Sequence, residues 1–122
     1  MSLVIDSSMT LAWYFEDEQT AASIAVLNRV AETGDVALRR CPITRSEAQA
    51  MIAEVKGARL LQRLRGRPAA DLAALADTLV RVSHLAMHLE EHLAELDINP
   101  LMVLPSGQGV KAVDALVVLR GT

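Results

Sequence analysis

The chain has a single cysteine, Cys41, and three aromatic residues. One cysteine excludes a disulfide framework and a Cys-only zinc site, and it suits a reducing cytoplasm. No apolar run reaches the roughly 18 to 20 residues that a membrane span needs. The N-terminus has no basic region and meets an acid at Asp6, so no secretory leader is expected. A net charge of −3 does not make the whole molecule a nucleic-acid binder. Trp13, Tyr14 and Phe15 are all the aromatics present, and residues 16–122 have none. Residues 1–20 have four acids and no Lys or Arg, residues 33–67 have eight basic residues against three acids, and residues 68–122 have three against seven. These shifts suggest that the front does not share a compositional history with the rest. What the chain does have is apolar aliphatic content: 52% of its 122 residues are hydrophobic and its mean hydropathy is +0.28. At 13.2 kDa that is one domain, or one domain with a short appendage. A chain of this size buries roughly two thirds of its extended-chain surface and can hold a core without disulfides.

Leu3-Val4-Ile5 reads as a short strand. Ser8 is placed to cap a short helix over Met9–Phe15, and a second helix is expected over Thr20–Ala31, ended by Gly34. Val36-Ala37-Leu38 reads as a strand running towards Pro42. Thr44-Arg45-Ser46-Glu47 has the form of a capping box that opens a helix to about Val55. Lys56 to Pro68 is basic and punctuated by glycine, with another helical turn expected at Leu60-Leu61. The longest helix is expected from Asp71 to about His92, with Leu72, Leu75, Leu79, Val82 and Leu89 as its buried stripe. Glu95–Leu104 and Val110–Leu119 read as two strands of a hairpin closed by Pro105-Ser106-Gly107-Gln108-Gly109.

The segment Glu95-Leu96-Asp97-Ile98-Asn99-Pro100 is the most unusual in the chain. On a strand, the oxygens of residues 95, 97 and 99 share one face and the apolar residues 96 and 98 the other. Asp114 interrupts an apolar run on the next strand. A buried carboxylate needs a cation partner or a shifted pKa. Asp97, Asn99 and Asp114 would suit a hard cation such as Mg²⁺ bridging phosphates. A solvated strand edge explains the same spacing.

From about Gly34 to Leu119 the chain resembles the C-terminal part of the ATP-grasp domain of NDP-forming acyl-CoA synthetases, relatives of the succinyl-CoA synthetase β subunit. The resemblance lies in GDVALR at 34–39, GARLLQRLRGRP at 57–68, LADTLVRVSHLA at 75–86 and ELDINPLMVLPSGQGVKAVDALVVL at 95–119. It implies that Asn99 and Asp114 are Mg²⁺ ligands of an ATP or ADP site, with Asp97 accessory. It also implies that a second subdomain, with a lysine and a flexible loop over the phosphates, closes the site. The chain is expected to start too late to contain that half.

The front, LVIDSSMTLAWYFEDEQTAA at residues 3–22, resembles the opening of PIN-domain nuclease toxins. That likeness maps a metal-binding acid onto Asp6 and places Glu47 near a second acid. The later acids of such a nuclease have no convincing counterpart, and a strand-end acid capping the helix at Met9 is the favoured account of Asp6. Three further groups are weighed. Lys56, Arg59, Arg63, Arg65 and Arg67 can meet nucleotide or CoA phosphates, or form a solvated cationic surface. His84, His88 and His92 stand at i, i+4 and i+8, a spacing that can bind Zn²⁺ but lacks a matched glutamate motif. Cys41 lies on a basic strand end, where its pKa could be lowered, or it is an idle thiol.

The expectation is therefore an α/β chain: a PIN-like β-α-α lead-in over 1–33, then an ATP-grasp C-terminal subdomain over 34–122 with a small, largely antiparallel sheet and helices packed on it. Its function is that of a partial ATP-grasp domain of an acyl-CoA ligase, inactive alone, with no catalytic residue assigned. Mg²⁺ and ATP or ADP are the expected cofactors, held weakly or lost. The expected partners are a subunit that supplies the missing half, or a second copy, with no membrane or nucleic acid. The cytoplasm is the expected location. The rivals are a PIN-like Mg²⁺-dependent RNase toxin and a non-catalytic interaction module.

Overall fold

The structure is a computed structural model that describes residues 2–6, 11–14, 36–55 and 69–121. Among the described residues seven strands and two helices follow in order: β1 (Ser2–Asp6), β2 (Leu11–Tyr14), β3 (Val36–Arg40), α1 (Arg45–Glu54), α2 (Leu72–His88), β4 (Leu93–Ile98), β5 (Leu101–Val103), β6 (Val110–Ala112) and β7 (Ala115–Leu119). Five strands form one sheet in the order β3-β1-β2-β4-β7, with every pairing antiparallel, and β5 and β6 form a second, two-stranded sheet.

The helices start where side chains replace missing backbone partners. Thr44 Oγ1 accepts from the Glu47 N–H at 3.1 Å, and Glu47 Oε2 accepts from the Thr44 N–H at 3.0 Å. This is the expected capping box. Ala48, Met51 and Ile52 follow at helical spacing and are buried. In α2 the buried residues are Leu75, Ala76, Leu79, Val82, Ser83 and Ala86. The two helices and the residues Leu93, Leu96 and Leu101 share one aliphatic core. Ser83, fully buried, ties α2 to the segment before α1: its Oγ accepts from the Ile43 N–H at 3.1 Å and donates to the Val80 carbonyl of its own helix at 2.7 Å.

Several expectations are corrected. Residues 11–14 form β2, not part of a helix over Met9–Phe15. Leu11 pairs with Ile5 and Ile98, and Trp13 with Leu3 and Leu96, so ladders on both sides fix the segment as strand. Helix α2 stops at His88: the Leu89 N–H donates back to the Leu85 carbonyl at 3.1 Å, and a turn follows. Leu89 is therefore 37% exposed and not part of the buried stripe. The expected long strands each break in two, at Asn99-Pro100 (a cis peptide) and at Val113-Asp114. Pro100 has no N–H to offer a ladder, so β4 ends before it. A register shift between Leu93 and Glu95 puts both Leu93 and Leu96 into the core, three residues apart where a regular strand would alternate. The helix expected at Thr20–Ala31 and the turn at Leu60-Leu61 lie outside the described residues.

Candidate metal-nucleotide site

β4 and β7 pair with Ile98 opposite Ala115 and Asp97 opposite Leu116. One step beyond, the Asn99 N–H donates to the Asp114 carbonyl at 3.0 Å, so Asn99 and Asp114 face each other where both strands end. Leu96 is buried in the core, so the face of β4 that carries it is turned to the helices. Asp97 and its partner Leu116 belong to the other face. The sheet thus gathers an amide, Asn99, and two carboxylates, Asp97 and Asp114, at one end.

The three are not in equivalent surroundings. Asn99 and Asp114 are exposed, while Asp97 is half-buried and its Oδ1 is sealed from solvent. Asp114 Oδ1 accepts from the Ala115 N–H at 2.9 Å. The premise that Asp114 interrupts a buried run is overturned, because Val113 before it and all of Ala115–Leu119 after it, on the last strand of the sheet, are exposed. Burial therefore gives Asp114 no need of a cation. What remains is chemistry and placement: two oxygen-bearing side chains open to solvent, Asn99 and Asp114, on residues that the register sets opposite each other. That donor set fits a hard divalent ion.

Sequence reasoning missed a second cluster. Asp71 caps α2, its Oδ1 accepting from the Ala74 N–H at 3.1 Å. Its Oδ2 accepts from the N–H groups of Gly107 and Gly109, at 3.1 and 2.9 Å, in the turn between β5 and β6. These hydrogen bonds hold the Asp71 carboxyl below its ordinary pKa, with the Ala74 bond the largest cause. Ala69–Asp71 is bonded to the same turn through the Asp71 N–H to the Leu104 carbonyl at 2.8 Å and the Ser106 N–H to the Ala69 carbonyl at 2.9 Å. Both glycines have positive φ, 87° and 84°, which a side chain would strain. The signal was present as Asp before a helical run and two glycines in a turn; only the fold joins them.

The other candidates separate. Glu47 is the capping partner of Thr44, and Asp6 stands opposite Val36 in the β1–β3 ladder. Among the described residues no three His, Cys, Asp or Glu side chains form a metal-binding group. His84 and His88 are exposed on α2, whereas His92 lies beyond the helix. The Cys41 thiol is pushed up to about 11 by burial, which fits a buried, idle thiol and not a lowered pKa. Lys56, Arg59, Arg63, Arg65 and Arg67 lie outside the described residues. Among the described residues no helix is long and apolar enough to cross a membrane.

With this sheet, helix pair and strand-end oxygen set in view, comparison with known proteins places the chain in a class. The family model for the ATP-grasp domain matches residues 28–119, and the chain belongs to that family. The β subunit of ADP-forming acetate–CoA ligase II of Pyrococcus furiosus is 40% identical over 87 residues, covering 71% of this chain and 37% of that protein. ADP-forming acetate–CoA ligase I of Archaeoglobus fulgidus is 50% identical over 76 residues, covering 62% of this chain and 11% of that protein. The fold matches that of the dinucleotide-forming acetyl-coenzyme A synthetase 1 of Ca. Korarchaeum cryptofilum, solved with coenzyme A and Mg-AMPPCP. The TM-score is 0.67 and the identity 31%, over 98% of this chain and 51% of that one. The chain is thus a partial ATP-grasp domain related to NDP-forming acyl-CoA synthetases, and it spans a minor part of the two ligases and about half of the solved chain. The PIN likeness of the front finds no support in these relatives.

Proposed function

We propose that Asn99 and Asp114, with Asp97 accessory, hold the Mg²⁺ of a bound ADP or ATP in one half of an acyl-CoA ligase nucleotide site. The observation that carries this reading is the Asn99–Asp114 juxtaposition at the end of the β4–β7 ladder, within a chain of the ATP-grasp family. Asn99 supplies an amide oxygen and Asp114 a carboxylate; Asp97, with one oxygen sealed from solvent, supports them from β4, two residues before Asn99. Mg²⁺ held there would bridge phosphate oxygens and offset their charge. The ligation itself needs the remainder of an ATP-grasp site, in another segment or another subunit, and the isolated 122-residue chain is inactive. Calorimetric titration of Mg-ADP tests the reading. Weak binding is expected, in the millimolar range because much of the enclosure is lacking, and Asp114→Ala abolishes it. Equal heats from both proteins would refute the assignment.

A further inference from the structure

The β5–β6 hairpin and the β4–β7 ladder keep one register. The Leu104 N–H donates to the Gly109 carbonyl at 3.0 Å, and Val103, Met102 and Leu101 stand opposite Val110, Lys111 and Ala112. The Val113 N–H then donates to the Pro100 carbonyl at 3.1 Å. Asn99 opposite Asp114 and Ile98 opposite Ala115 continue the pairing with no residue skipped. The turn that closes this hairpin therefore decides which residue faces Asn99. A slip of one residue would set Asn99 against Val113 or Ala115 and send the side chains of one strand to the other face. Two strands alone make a marginal sheet, so the register depends on what holds the turn.

We propose that Asp71 is a positioning residue: its carboxylate locks the β5–β6 turn and so keeps Asn99 and Asp114 face to face. The two oxygens divide the work. Oδ1 serves α2 through the Ala74 N–H, and Oδ2 serves the turn through the N–H groups of Gly107 and Gly109. The backbone beside Asp71 adds the Ala70–Pro105 bridge and the bonds from Asp71 to Leu104 and from Ser106 to Ala69. The closed end of the hairpin is thus tied to the start of α2, and Leu75 and Leu79 of that helix are anchored in the core. The open end of the same hairpin carries Asn99 and Asp114. The consequence for Mg-ADP rests on the metal reading above; the register itself does not.

Asp71→Ser separates the two tasks. A serine hydroxyl caps a helix about as well as a carboxylate, but it is one bond shorter and offers a single oxygen, so the turn loses its acceptor. The experiment compares Asp71→Ser and Asp71→Ala with Thr44→Ala, which removes the cap of α1 instead. Hydrogen exchange is read in ¹⁵N spectra of the 122-residue chain, and Mg-ADP binding by titration of the same amides. The Asn99 and Val113 N–H groups, bonded across the pairing, should exchange severalfold faster in both Asp71 variants, while the Met51 and Leu79 amides stay protected. Mg-ADP should bind about fivefold more weakly, or worse, in both variants and unchanged in Thr44→Ala. If Asp71 were a helix cap alone, Asp71→Ser would match the wild type in exchange and in binding. That result would overturn the proposal, as would an equal loss of binding in Thr44→Ala. A wild-type chain that binds no Mg-ADP would refute the metal reading only. Exchange at Asn99 and Val113 then decides the role of Asp71: faster in Asp71→Ser supports it, unchanged overturns it.

Discussion

Asp71 does three jobs with one carboxylate: it caps α2 and accepts from two glycine N–H groups of the β5–β6 turn. Asp71→Ala should lower the melting temperature by several degrees, and Asp71→Asn should recover only part of it, because an amide presents one acceptor oxygen. The sign of the pH dependence follows from the lowered pKa. The folded state favours the ionised form, so this contribution is present above the ordinary carboxylate value of 3.8 and is lost as pH falls through the lower folded value. Thermal melts against pH should show that acid limb flattened in Asp71→Ala. Ser83→Ala should cost about 1–3 kcal/mol, because the Ile43 N–H would then be buried without an acceptor; urea unfolding measures it. Cys41 titrates oppositely. Burial raises its thiol from 9.0 to about 11, so the folded protein stays protonated, and stability should decline as pH climbs from 9.0 through 11. Alkylation at neutral pH should accordingly be slow.

At the scale of elements, α1 and α2 carry the core. Leu79 is fully buried in the aliphatic cluster of both helices. Leu79→Ala should destabilise by about 2–5 kcal/mol, visible as an earlier urea midpoint with the fold retained. Both helices were legible in the sequence, since a capping box and an aliphatic 3.6-residue period are local signals. Their ends were less so: nothing local to Leu89–His92 shows that the chain turns there to enter β4. Residues 11–14 were misread because four residues are too few to separate the two periodicities, and β2 exists by virtue of partners on both sides, Ile5 in β1 and Ile98 in β4. The Asn99–Asp114 juxtaposition was legible, because a hairpin closed by Gly107 and Gly109 sets the register. The exposure of Asp114 was not, because an apolar strand looks the same whether it lies inside a sheet or at its edge.

For the molecule as a whole, Ala115–Leu119 of β7 and the strand-end residues Asn99 and Asp114 are exposed, and the chain spans 37% of the Pyrococcus furiosus β subunit that it matches. The family assignment rests on sequence and fold together, while the site rests on two residues that the β4–β7 register brings face to face. Spectroscopic placement of the ion tests that claim most directly. With Mn²⁺ replacing Mg²⁺ beside ADP, amide resonances of Asp97–Asn99 and Asp114–Leu116 should broaden first in a ¹⁵N correlation spectrum, and Asp114→Ala should remove the effect. Broadening centred instead on His84 and His88, or unchanged broadening in Asp114→Ala, would contradict the site.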